Sequence, residues 1–148
     1  MDKAFDQWNV VKRRTEKQPV LIHVKEREIY HARLGENVGH EQCGKGEEFV
    51  RPVLVVKRLS RELFFAVPLS TTIRQGTFYH TFRFLTGRES CALLVQGKVM
   101  SSRRLLNKIG VMKKEEFQAL KIRLGSLLIG EEEVTPPPET AGRPEGKL

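Results

Sequence analysis

Arg51-Pro52-Val53-Leu54-Val55-Val56 and Phe64-Phe65-Ala66-Val67-Pro68-Leu69-Ser70-Thr71-Thr72 decide the fold. Each run is apolar on both faces, as in a buried central strand. Pro52 has no N–H for a ladder, so it belongs at the start of its strand. Leu59-Ser60-Arg61-Glu62 is a turn, so the two runs pair as neighbouring antiparallel strands. The start of one then lies beside the end of the other. Arg51 opens the first and Ser70, Thr71 and Thr72 close the second, so a guanidinium meets a cluster of hydroxyls at one rim of a sheet. A planar guanidinium beside hydroxyl donors suits a phosphate.

Downstream, Thr77–Leu85 alternates between two faces, Thr86-Gly87-Arg88-Glu89 turns the chain, and Ser90–Gln96 reads as a further strand. Upstream, Arg27–Leu34 is a strand closed by Gly35, with Val20–Val24 a short strand or an extended connection. Residues 36–50 form a long, Gly-rich and charged loop, of the kind that is often functional. Short strands at this spacing with tight turns predict a small, highly curved antiparallel sheet or barrel.

Helices flank the strands. Residues 2–17 place Phe5, Trp8 and Val11 on one face, with Asp2 as the expected N-cap. Ser101-Ser102 reads as the cap of a short basic helix over residues 103–108, ended by Gly110. Residues 113–128 carry an apolar stripe of Phe117, Leu120, Leu124, Leu127 and Leu128. Residues 131–148 hold four prolines and five glutamates without an aromatic residue, the composition of a disordered tail. The resulting division is a helical extension over 1–18, a compact domain over 19–130 and the acidic tail.

The 148 residues carry a formal charge of +8, and the tail has a net charge of −3, leaving +11 for residues 1–130. Such an excess favours a polyanionic partner. No apolar run is long enough to cross a membrane, and the N-terminus lacks a signal-peptide core. Cys43 and Cys91 are too few and too far apart for a disulfide framework or a metal site, which fits a reducing cytoplasm.

Four ordered segments resemble the MazF/PemK family of bacterial toxins. They are Arg27-Glu28-Ile29-Tyr30 to Leu34; Gly39-His40-Glu41-Gln42 followed by Arg51-Pro52-Val53-Leu54-Val55-Val56; Val67-Pro68-Leu69-Ser70-Thr71; and Ala92-Leu93-Leu94-Val95-Gln96 followed by Arg104-Leu105 and Lys108-Ile109-Gly110. The resemblance spans residues 25–129. It departs from the family pattern in Ser70, where Thr is usual, in the longer insert over 43–50, and in Val95, where many members are polar.

The resemblance implies an α+β, mainly β fold: a small SH3-like antiparallel barrel with an N-terminal helix, a short helix and a C-terminal helix. It implies a homodimeric, metal-independent endoribonuclease that needs no cofactor and has a cognate antitoxin. Single-stranded RNA or mRNA would be cut by attack of the ribose 2′-OH. Arg51 and Ser70 are then the catalytic candidates, with Glu41 orienting Arg51, acting as base, or simply holding the loop. Arg51 in a plain salt bridge with Glu41 or Glu47 is the non-functional alternative. Gln42, His40, Thr71 and Thr72 would shape the site, Gln96 would lie at its rim or at the dimer seam, and Lys98, Arg103 and Arg104 would contact phosphates or form a solvated basic face. The competing reading is a non-catalytic barrel of the same class, a gyrase-poison-like protein or an RNA-binding module.

Overall fold

A computed structural model describes residues 2–85 and 87–130. Two antiparallel strands, β2 (Val50–Arg58) and β3 (Leu63–Ser70), form its centre, pairing Val53 with Pro68 and Leu54 with Val67. β1 (Glu28–Arg33) lies on the other side of β2, with Ala32 opposite Arg51. β4 (Tyr79–Leu85) and β5 (Arg88–Leu93) form a hairpin that joins the end of β3 through Leu69–Ala92 and Ser70–Cys91. β6 (Lys98–Ser101) pairs with the first half of β3, and β7 (Leu105–Val111) pairs with β1. All seven strands are antiparallel, and two of them share β3 along one edge, so the sheet curls into a half-barrel. Helices α1 (Phe5–Glu16) and α2 (Lys114–Ile129) flank it, giving the α+β, mainly β architecture.

The curl divides the apolar side chains between two faces. Ile29, Leu54, Val67, Leu69 and Leu94 pack against Phe117, Leu120 and Leu124 of α2. Val53, Val55, Phe64 and Ala66 face the other way, with Tyr30, Leu34 and Met100. Both faces of β2 and β3 are therefore buried, as their continuous apolar runs require. Phe64 and Leu54 are fully enclosed, and burying a side chain of that size contributes about 1.5–3 kcal/mol each.

Several sequence expectations are corrected. Residues 103–108 are not a helix: Ser102–Arg104 makes a single 3-10 turn and β7 follows at once. The open edge of β1 takes β7 as its partner, and that ladder outweighs the local helical spacing. Gly110 permits the fit, because a Cβ there would stand 2.5 Å from Phe84 Cδ2. Ser101 Oγ does accept the Arg103 N–H, capping the 3-10 turn at 3.1 Å. Residues 94–96 form another 3-10 turn instead of extending β5. Residues 20–24 form no strand.

Asp2 does not cap α1; the N-cap is Ala4, whose N–H donates to Glu36 Oε2 at 2.9 Å. Phe5 and Leu128 are exposed rather than part of the apolar stripes. Among the described residues no helix is long and apolar enough to cross a membrane. The expected tail over 131–148 lies outside the described residues.

Candidate active site

Arg51 sits at the second position of β2 with 9 % of its surface exposed. Its Nη1 donates to Leu69 O of β3 at 3.1 Å, and its Nε donates to Cys43 O of the preceding loop at 2.8 Å. The Gln42 side chain faces the same guanidinium. In the amide orientation that satisfies both groups, its oxygen accepts from Nε at 3.0 Å and Nη2 at 2.8 Å. These acceptors are all neutral. Among the described residues no carboxylate pairs with Arg51, so the salt bridge to Glu41 or Glu47 does not form. Burial lowers the Arg51 pKa from its ordinary value, and the charge of an ionised Cys43 acts in the opposite direction. Of the five guanidinium N–H groups, one on Nη1 and one on Nη2 have no acceptor among the described residues.

Ser70 ends β3 on the same rim. Its Oγ accepts the Thr72 N–H at 3.1 Å, which leaves the hydroxyl proton to be donated outward. Arg51, Ser70 and Thr71 line one cleft of about 580 Å³, together with His31, Lys45, Arg88 and Glu89. Thr72 adjoins it through its N–H and is exposed. His31 was not singled out by sequence, because it lies 20 residues from Arg51 along the chain. The β1–β2 pairing brings it across, with His31 opposite Pro52.

The other candidates separate from this cleft. Glu41 lines an adjoining hollow of about 370 Å³ with Gln42, Gln96 and Lys98, and its Oε1 accepts the Val38 N–H at 3.1 Å. It holds the loop and does not touch Arg51. Gln96 lies in the same hollow, outside the lining of the Arg51 cleft, and clamps the loop: its Oε1 accepts the Gln42 N–H and its Nε2 donates to His40 O, both at 3.0 Å. His40 enters through that carbonyl and its imidazole is exposed.

Arg103 and Arg104 are held largely by backbone oxygens. Arg103 donates to Glu16 O and Gln18 O and pairs with Glu62. Arg104 donates to Arg33 O at 2.9 Å and lies 5.8 Å from the Trp8 ring centroid. Lys98 is half-buried. Burial and then Arg104 lower its pKa, Glu41 opposes the shift, and Lys12 adds to it. Among the described residues no three His, Cys, Asp or Glu side chains gather to hold a metal ion.

The loop that supplies Cys43 O and Gln42 is braced by α1. Lys3 Nζ donates to Asn37 O and Gly39 O, and Glu36 accepts the Ala4 N–H. Trp8 packs edge-on against Phe49 at 5.5 Å and lies over Gly35, where a Cβ would come within 2.5 Å of the indole. Gly35 also has φ +97, so glycine is required there twice over. Arg14 pairs with Glu48 at 2.9 Å.

No curated protein matches this chain at significant similarity. Solved structures of MazF proteins share the fold. MazF from Deinococcus radiodurans superposes with a TM-score of 0.58 at 22% identity, covering 73% of this chain and 98% of that one. The toxin MazF-mt6 of Mycobacterium tuberculosis gives 0.55 at 18%, covering 72% and 100%. An endoribonuclease in complex with its cognate antitoxin, from a mycobacterial species, gives 0.56 at 15%, covering 74% and 99%. Residues 25–128 match the family described as PemK-like, MazF-like toxin of type II toxin-antitoxin system. With both strands that frame the Arg51 cleft inside that match, the chain belongs to this toxin family.

Proposed function

We propose that this chain cuts single-stranded RNA at the Arg51 cleft. In this reading the ribose 2′-hydroxyl gives its proton to solvent as its oxygen attacks the adjacent phosphorus, the P–O5′ bond breaks, and the leaving 5′-oxygen takes up a proton, so that a 2′,3′-cyclic phosphate and a 5′-hydroxyl result. The nucleophile belongs to the substrate. The protein's contribution is therefore in-line geometry and stabilisation of charge on the equatorial oxygens. The observation that carries the reading is a buried guanidinium whose hydrogen-bond acceptors are all neutral. A buried cation without a counter-ion is costly, and a phosphoryl group supplies the missing anion. The two open N–H groups of Arg51 and the outward hydroxyl of Ser70 are the donors for it.

From the family we further expect a homodimer, an acidic and partly disordered cognate antitoxin, and action in the cytoplasm. Light scattering checks the dimer: a mass near 17.0 kDa at micromolar concentration means a monomer.

The deciding experiment incubates wild type and Arg51→Ala with a mixed-sequence single-stranded RNA in EDTA and maps the ends. Cyclic phosphate ends from wild type, with the variant slower by about 10²–10³, are the expected result. Equal cleavage by both proteins removes Arg51 from the chemistry. Binding without cleavage by either favours the RNA-binding module.

A further inference from the structure

A second concentration of charge lies outside the Arg51 cleft. A cleft of about 470 Å³ runs between α1 and the Ser102–Arg104 turn. Lys12, Arg13 and Lys17 line its helical side, and Arg103 and Arg104 the other; Glu16 is also in the lining, and Glu62 pairs with Arg103. Lys12, Arg13 and Lys17 are exposed, and their side chains have no hydrogen-bond or ion-pair partner among the described residues. They brace nothing, whereas Arg14 beside them is tied to Glu48.

Arg104 links this cleft to the candidate active site: it lines the cleft and donates to Leu34 O, and Leu34 lines the hollow that also holds Gln42 and Lys98. Lys98 lies in the hollow that Gln42 and Gln96 line, and Gln42 holds Arg51. Lys98 is in turn close enough to Arg104 and Lys12 for both charges to disfavour its own. The cations thus form a track from Arg51 through Lys98 and Arg104 to Lys12, Arg13 and Lys17. Gathering like charges is unfavourable in the free protein. A polyanion lying along them reverses that sign, and it gains further from the counterions it releases. A single buried anion would need converging donors in one pocket, whereas these are spread along a helix. The α1 part lies before residues 25–128, so it is an addition to the family domain.

We infer that this track is a second RNA subsite, which carries the phosphodiester backbone of the strand beyond the scissile phosphate. The inference rests on the RNA reading of the Arg51 cleft. It assigns α1 a role in affinity for longer RNAs and none in the bond-breaking step.

The test uses the full chain with Lys12→Gln, Arg13→Gln and Lys17→Gln combined, substitutions of exposed side chains that leave the melting temperature in place. Binding is measured by fluorescence anisotropy in the Arg51→Ala background over a range of salt, so the substrate survives. The probes are an RNA of about six nucleotides and one of about twenty, which bracket a single-strand site. For the long RNA we expect affinity to fall about tenfold, and the log–log salt slope to shrink by about 2, since each phosphate contact contributes about 0.7. Binding of the short RNA in that background, and its cleavage by the triple variant that keeps Arg51, stay within about twofold of the parent, a split that general loss of structure would not produce.

Equal effects on both RNAs, or an unchanged salt slope, overturn the inference. So does unchanged long-RNA binding with lost affinity for poly-glutamate, which would make the track a face for an acidic protein. The two readings fail differently: a wild type that binds RNA without cutting it sinks the ribonuclease. A wild type that cuts, paired with a triple variant that holds long RNA undiminished, sinks only the track.

Discussion

Arg51 is gripped from two sides that are built differently. On one side is the sheet: Leu69 O and the position of Ser70 are set by β3, whose ladder runs through Val53–Pro68 and Leu54–Val67 inside two packed faces. On the other side is the loop over 36–49, which has one bridge of its own, Lys45–Val50. Its shape rests on short backbone turns, Glu41 N–H to Val38 O and Phe49 N–H to Gly46 O, and on side chains: Lys3, Trp8 and Gln96 from outside, and Asn37 within, whose Nδ2 donates to Gln42 O at 2.7 Å. The sheet side is set by backbone pairing that any suitable apolar sequence maintains. The loop side depends on a few individual contacts, each removable by one substitution. On the proposed ribonuclease reading, the rigid half would serve the chemistry and the adjustable half the choice of RNA.

Arg51→Lys gives the sharpest test of the sheet side. It keeps the charge on the same strand position and removes the planar fork. A lysine cannot donate to Leu69 O and Cys43 O while presenting two more N–H groups to a phosphoryl. We expect kcat to fall by about 10²–10³, about 3–4 kcal/mol of transition-state stabilisation, with RNA affinity little changed. A variant retaining near wild-type kcat would show that only the charge matters and that the neutral cage around Arg51 is incidental.

Trp8→Ala tests the brace. It removes an indole that is 7 % exposed, sits on Gly35, meets Phe49 and lies beneath Arg104. The expected loss of stability is about 3 kcal/mol, at the lower end for a buried Trp because the cluster it joins is small. Thermal unfolding measures it. Below the melting transition, kcat should fall more than KM rises, because Cys43 O and Gln42 lose their registration on Arg51. A stability loss with unchanged kcat would mean that the loop holds its shape without α1.

The same division explains what the sequence made legible. Val53–Val56 and Phe64–Leu69 announce themselves as buried strands because both faces are apolar, and Pro52 and Pro68 limit where their ladders can run. Arg51 and Ser70 follow from the pairing of those strands. The loop contacts are invisible locally: Gln96 reaches His40 across 56 positions, and Arg104 reaches Arg33 across 71. Nothing near Arg103 and Arg104 in the chain distinguishes a phosphate contact from a guanidinium tied to a carbonyl. β7 is hidden in the sequence for a similar reason. Leu105 and Ile109 stand four apart, as on a helix face, but the unpaired edge of β1 decides their backbone. His31 enters the cleft only through the β1–β2 register.

Gln96→Ala carries the smallest expected effect and tests the loop side alone. Gln96 follows β5 in the Leu94–Gln96 turn, on the rigid framework, and makes two 3.0 Å bonds to the loop. Neither is deeply buried, and Gln42 N–H and His40 O can turn to water when the amide is gone. The net stability cost should therefore be about 1 kcal/mol, the contribution of ordinary hydrogen bonds, against about 3 for Trp8→Ala. The rate should respond more clearly than the stability, by several-fold, because Gln42 is one residue from Cys43 and its own side chain contacts Arg51. Hydrogen exchange of the 36–49 amides should rise while those of β2 and β3 stay protected. If exchange rises in both segments together, the rigid and adjustable halves are one cooperative unit and the comparison fails. If it rises in the loop alone and the rate still holds, Leu69 O and the sheet suffice to aim Arg51, and Gln42 serves RNA choice instead of catalysis.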